Sequence, residues 1–225
     1  MNKFPLARKT LLTALAAGLS LAAMMPAMAA DQPVHIRGTV ADVTSTGFTV
    51  QTATGSQTIV LSPTTKIAGV VPSTLDAVKD GTFIGTANVS HGNTSRALEL
   101  VVFPDSMKGT GLGDYAWDLP GKSGAGSAMT NGTVKTTSQA KAAVSSMTNG
   151  TVKTSSGSGA RTLVVDYGKG EKTINVPANV PVVAFQPADK SAIVAGAHVF
   201  VVGTPGTTVS AGLVAVGING TVPPM

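Results

Sequence analysis

The chain runs through one succession of short, β-branched segments twice, and that doubling constrains its fold more than any other feature. The first pass opens with "VHIRGTVADV" (34–43). The pair "GFTVQTA" (47–53) and "SQTIVLS" (56–62) follows, alternating apolar and polar residues about a Thr54-Gly55 turn. Next come "TKIAGV" (65–70), a helical turn at 73–81, "TFIGTANVS" (82–90) and "SRALELVVF" (95–103). The second pass reads Asn149-Gly150-Thr151-Val152, a hairpin over 160–176 turning at Gly168-Lys169-Gly170, "VPVVAF" (180–185), a short connection at 188–196, "AHVFVVG" (197–203) and "SAGLVAVGI" (210–218). Val and Thr are stiff at χ1 and suit a pleated sheet, and 26 Gly with 13 Pro keep the elements short. The class is all-β: two small OB-like β-barrel units in tandem, with a β-sandwich formed by both units together as the alternative. The expected layout is a signal peptide over 1–29, a first barrel over 30–104, a linker over 105–146 and a second barrel over 147–225.

The linker is rich in Gly, Ser and Thr and has no sustained period. It holds the first of two copies of "MTNGTVKT", at 129–136 and 147–154. The second copy runs directly into the 160–176 hairpin, so it is expected to open the second barrel. The first is expected to be a spacer, and deleting 129–146 is expected to leave thermal stability almost unchanged.

Lys3, Arg8 and Lys9 precede the apolar run "LLTALAAGLSLAAMM" (11–25), and Ala27-Met28-Ala29 offers small residues for cleavage after Ala29. The run is shorter than the ~20 residues a spanning helix needs. Export to the periplasm or beyond is expected, with no transmembrane segment after cleavage. The chain has 16 basic and 11 acidic residues, and three of the basic ones lie before Ala29, leaving 13 against 11. That near-neutral balance, with aromatics too few for stacking platforms, argues against nucleic acid. No cysteine is present, so there is neither a disulfide nor a thiol nucleophile.

Candidate sites are few. Tyr115, Trp117 and Asp118 form the leading one: two aromatics in a Gly-rich stretch read as a plug for one barrel or the seam between them, or as a recognition surface for glycan or peptide. A metal alternative would draw on His35, His91, His198 and Asp114, whose spacings match no standard site. The Gly109–Gly113 run lacks phosphate-loop spacing, there is no nucleophile elbow, and no cofactor is expected. The chain therefore reads as non-catalytic and monomeric, with an envelope protein or a small ligand as partner.

"VVFPDSMKGTGLGDYAWDLPG" (101–121), "GEKTINVPANVPVVAFQPADKSAIVAGAHVFV" and "HIRGTVADV" resemble an uncharacterised family of exported proteobacterial proteins with a DUF5666-type domain, sometimes labelled metal ABC transporter permeases. The resemblance implies an exported β-domain. Where family members carry a Glu-Gly-His-Arg-like run, this chain has Leu112 to Ala116, without the histidine. The permease label implies a transmembrane bundle that this sequence does not contain. The resemblance supplies no activity; the sequence as a whole reads as a binding or scaffolding module in the cell envelope, with weak transition-metal handling as the alternative.

Overall fold

The computed structural model describes residues 32–120, 126–139 and 159–225. The expected cleavage site and the second MTNGTVKT copy lie outside the described residues. Residues 31–225 cluster as one compact unit. All the regular structure described is strand or single 3-10 turns.

The strands are those the alternation asks for. In β1 (Val34–Val43), β2 (Gly47–Thr52) and β3 (Gly55–Val60), Val40, Phe48, Val50 and Ile59 face inward, while Thr58 and Gln51 face water. After β4 (Lys66–Pro72) the expected helical turn shrinks to Leu75–Ala77, and no side chain caps it. Then come β5 (Phe83–His91), β6 (Thr94–Ala97) and β7 (Leu100–Val102). Gly81 and Gly92 take the positive φ that their turns require.

Beyond Phe103 the structure departs from the expected linker. Gly113–Trp117 is a strand, β8, and Ser127–Gln139 is the long strand β9. The first MTNGTVKT copy lies wholly inside β9, with Met129, Thr130, Asn131 and Val134 buried. It is therefore a core strand and not a spacer. The physical signature is Gly132: a Cβ there would lie 2.3 Å from the Asp166 carbonyl oxygen, just as one on Gly38 would lie 2.2 Å from that of Gln51. Both glycines stand where two strands approach too closely for any side chain. Each is followed by a bulge, at Ala41 in β1 and at Lys135 in β9. So Asn131-Gly132-Thr133-Val134, rather than 149–152, is the counterpart of Arg37-Gly38-Thr39-Val40.

The remaining strands are β10 (Arg161–Asp166), β11 (Glu171–Val176), β12 (Val182–Pro187), β13 (His198–Thr204) and β14 (Val209–Gly217). All fourteen belong to one sheet that closes on itself twice. One ring runs β13-β1-β2-β3-β14, closed by the β13–β14 pair. The other runs β5-β6-β11-β10-β9, closed by β5–β9. Neither ring comes from one half of the sequence. The first takes β1–β3 from the N-terminal pass and β13–β14 from the C-terminal pass, so the expected boundaries of 30–104 and 147–225 do not delimit the rings.

Between the rings, β14 pairs in parallel with β4, β4 pairs antiparallel with β12, and β12 pairs in parallel with β7. The arrangement is two-fold about the Val70–Phe185 pair. Each crossing strand delivers its 3-10 turn to the other ring: Leu75 and Val78 enter the core around Leu163 and Ile174, and Ile193 enters the core around Phe48 and Ile59. A third apolar cluster, including Val70, Phe185, Phe200 and Met225, fills the space where the two rings meet.

Candidate functional site

The two-fold is broken on one face of that third cluster. Ring one presents Phe200 in β13; by strand register its counterpart in ring two is Gly85 in β5. Asn131 Oδ1 and the Phe103 ring take the space over Gly85, where a Cβ would meet them at 2.4 and 3.0 Å, and a cavity of about 440 Å³ lies against both Gly85 and Phe200. Its walls also take Tyr115 and Trp117 from β8, Met129 and Asn131 from β9, Phe185 from β12 and His35 from β1. Tyr115 and Trp117 are two apart on a strand and so share a face. Met129 pairs with Tyr115, and Asn131 lies two along. The expected plug residue Trp117 thus packs against the cluster between the rings, and beside it lies open volume.

His35 lies against the Trp117 ring at 4.1 Å between centroids, and Phe200 lies 5.9 Å from Trp117. Arg37 stacks over Phe200 at 5.0 Å. Its guanidinium donates two parallel hydrogen bonds to Asp118, at 2.8 and 2.7 Å, and a third to the Met225 carbonyl. The bidentate geometry is the strong form of this pair. It ties β1 to the residue after β8 and to the tail at 221–225. His35 Nδ1 also lies 3.2 Å from Asp118. The Arg37 hydrogen bonds hold the Asp118 carboxyl below the usual carboxylate range. Partial burial pushes the Tyr115 phenol up.

Asn131 donates from Nδ2 to the Gly111 carbonyl at 3.1 Å and to the Tyr115 hydroxyl at 3.0 Å, which fixes its amide and leaves Oδ1 buried without a partner. Trp117 Nε1 is likewise buried without a partner. Sequence reasoning missed Asn131, because a buried Asn inside a repeated word reads as a turn residue.

It also missed Glu99. This carboxyl is 2% exposed and accepts no hydrogen bond. Burial pushes its pKa up to about 8, against the opposing pull of Arg37 and with a smaller upward push from Asp118. The available signal was one acidic residue enclosed by Leu98, Leu100 and Val101 in "ALELVV". It sits in the break between β6 and β7, where the Glu99 carbonyl accepts from Thr86 Oγ1 at 2.6 Å.

The expected metal residues are not brought together. His35 faces Asp118, His91 is exposed at the end of β5, and His198 meets the Thr39 hydroxyl at 3.3 Å. Asp114 accepts from Lys172 at 2.9 Å and from Thr130 at 2.6 Å. Among the described residues no three His, Asp or Glu side chains converge on a point that could hold a metal.

The fold and site define an all-β protein with an aromatic-walled cavity at the junction of two strand-exchanged rings. No helix among the described residues is long and apolar enough to cross a membrane. Comparison with protein-family models, with curated proteins and with solved structures finds no match.

Proposed function

We propose that this is a non-catalytic envelope protein that holds a small, mostly apolar ligand in the cavity between its rings. The carrying observation is the 440 Å³ cavity with aromatic walls, which falls within the ~300–1,000 Å³ typical of small-molecule sites. Of the charged groups near it, Arg37 is engaged with Asp118 and Lys172 with Asp114, and Lys66, which lines it, is exposed to water. That favours holding a ligand over acid–base chemistry, which needs a titratable group free to meet the substrate. The two five-stranded rings have the strand number of OB-type barrels, and the DUF5666-type resemblance with its N-terminal export pattern suggests a periplasmic or secreted setting. In this reading the protein acts as a monomer, because its cavity is complete within one chain. A metal role has less support, since Asp114 and His198 already have protein partners.

Titration with the neutral fluorophore N-phenyl-1-naphthylamine should give a saturating rise in emission with one site per chain. Gly212→Phe should weaken it at least tenfold. Gly212 lines the cavity, and a Cβ there meets only the Val202 carbonyl at an ordinary 3.6 Å, so the new ring fills ligand space without straining the strand. Unsaturable binding, or binding indifferent to Gly212→Phe at unchanged melting temperature, would refute the reading.

A further inference from the structure

Aromatic residues are scarce in this chain, yet they are gathered in one place. Eight Phe, Tyr and Trp residues lie beyond Ala30, and five of them line the cavity: Phe103, Tyr115, Trp117, Phe185 and Phe200. Their rings are tilted or edge-on to one another, with Trp117 and Phe200 at 52°, Tyr115 and Trp117 at 63°, and Phe103 and Phe185 at 70°. A wall of this kind offers both ring faces and ring edges, the two partners that another aromatic ring prefers. An aliphatic chain would gain only area from it.

The polar groups on the wall are equally selective. Trp117 and Asn131 both line the cavity, and each carries one buried atom without a protein partner, the donor Nε1 and the acceptor Oδ1, the latter lying over Gly85. An orphaned buried group of this kind is destabilising, and a ligand group meeting it would relieve that cost. Neither atom carries charge. Arg37 is already engaged by Asp118 and the Met225 carbonyl, so it offers no free counter-charge. Lys66 lines the cavity mouth, but its side chain is exposed to water.

Resting on the binding role proposed above, we infer that the ligand is an uncharged, planar aromatic molecule bearing a hydroxyl or amide-like group, its ring held among Trp117, Phe200 and Phe185 and its polar group meeting Trp117 Nε1 or Asn131 Oδ1. Such a group accepts from the indole N–H or donates to the amide oxygen, and the flat body lies against the aromatic walls.

Trp117 is the only tryptophan in the chain, so its indole N–H gives a single resonance in a ¹H–¹⁵N spectrum of the labelled protein. Addition of 1-naphthol should shift that resonance saturably. Calorimetry should show 1-naphthol binding at least tenfold more tightly than naphthalene, 1-decanol or 1-naphthalenesulfonate. Trp117→Phe, which keeps a ring and removes the donor, should shrink the naphthol-to-naphthalene ratio severalfold without a matching loss of naphthalene binding. Decanol or the sulfonate binding as tightly as naphthol would overturn the ligand class while leaving the cavity a binding site. No saturable shift with any of the four would overturn both.

Discussion

In a chain shortened by residues 137–154, Gly132→Val is expected to abolish the cooperative thermal transition, while the shortened parent should melt within a few degrees of the full chain. Because the eight residues at 129–136 recur at 147–154, removing 137–154 gives the same polypeptide as removing 129–146. One copy remains, and Ser155, Ser156 and Gly157 take the positions of Thr137, Ser138 and Gln139 at the end of β9. Ser158, Gly159 and Ala160 are then left as a three-residue connection to Arg161, a common hairpin length. The insensitivity expected from the sequence thus survives with the opposite cause: the deletion is tolerated because a complete β9 remains. Gly132→Val in that background has no second copy to fall back on. Its Cβ would meet the Asp166 carbonyl at 2.3 Å and the Val165 side chain at 2.7 Å. Ordinary overpacking costs about 1–3 kcal/mol, but a carbonyl fixed in a ladder has no rotamer to escape into, so strands β9 and β10 must part. Circular dichroism melts settle it; a shortened Gly132→Val chain that melts like its parent would mean that β9 is not packed as described.

Glu99→Gln should remove a large part of the protein's loss of stability between mildly acid and alkaline pH. An unfolded Glu titrates near 4.5 and the folded one near 8. Between those values the native state holds a proton that the unfolded state has released, so stability falls as pH rises across that window and levels off above it. At about 1.4 kcal/mol per pH unit the loss approaches roughly 5 kcal/mol, which corresponds to about 10 °C or more in a chain of this size. Gln cannot ionise. The variant and the parent should melt together near pH 5 and diverge by pH 8.5, with the variant higher. Parallel melting curves across that range would show that Glu99 ionises freely.

Local structure was largely legible in the sequence, and partnership was not. Phe48, Val50 and Ile59 announce inward faces through their alternation, and Gly81, Gly92 and Gly168 announce turns through the positive φ they adopt. A β-branched residue says that it belongs on a sheet, but not which strand lies beside it. Val40 would be equally buried against β5 or β13. The tandem reading followed from assuming that neighbours in sequence pair, yet the two crossing strands, β4 and β12, carry the chain from one ring to the other before either closes. Identical words are also indistinguishable by propensity, so the choice between 129–136 and 147–154 depended on connection length, which misled. The site shows the same division. Trp117 and Asp118 were visible as an anomaly in a Gly-rich stretch. Their setting with His35, Arg37 and Phe200 depends on β1 lying against β13, which no local pattern records.

The central claim is therefore that pairing, since it joins the two halves of the sequence and brings His35 and Arg37 to Phe200. Thr39 stands opposite His198 across β1 and β13, with their side chains in contact. Had each half closed on itself, Thr39 would stand opposite Phe83, as its counterpart Thr133 does. The native chain has no cysteine, so a single introduced pair reports without ambiguity. On mild oxidation, the double variant Thr39→Cys with His198→Cys should form an intramolecular disulfide quantitatively, as directly paired strand positions allow, and Thr39→Cys with Phe83→Cys should keep both thiols free. Closure of the second pair with the first left reduced would contradict the exchange of strands and the site built on it.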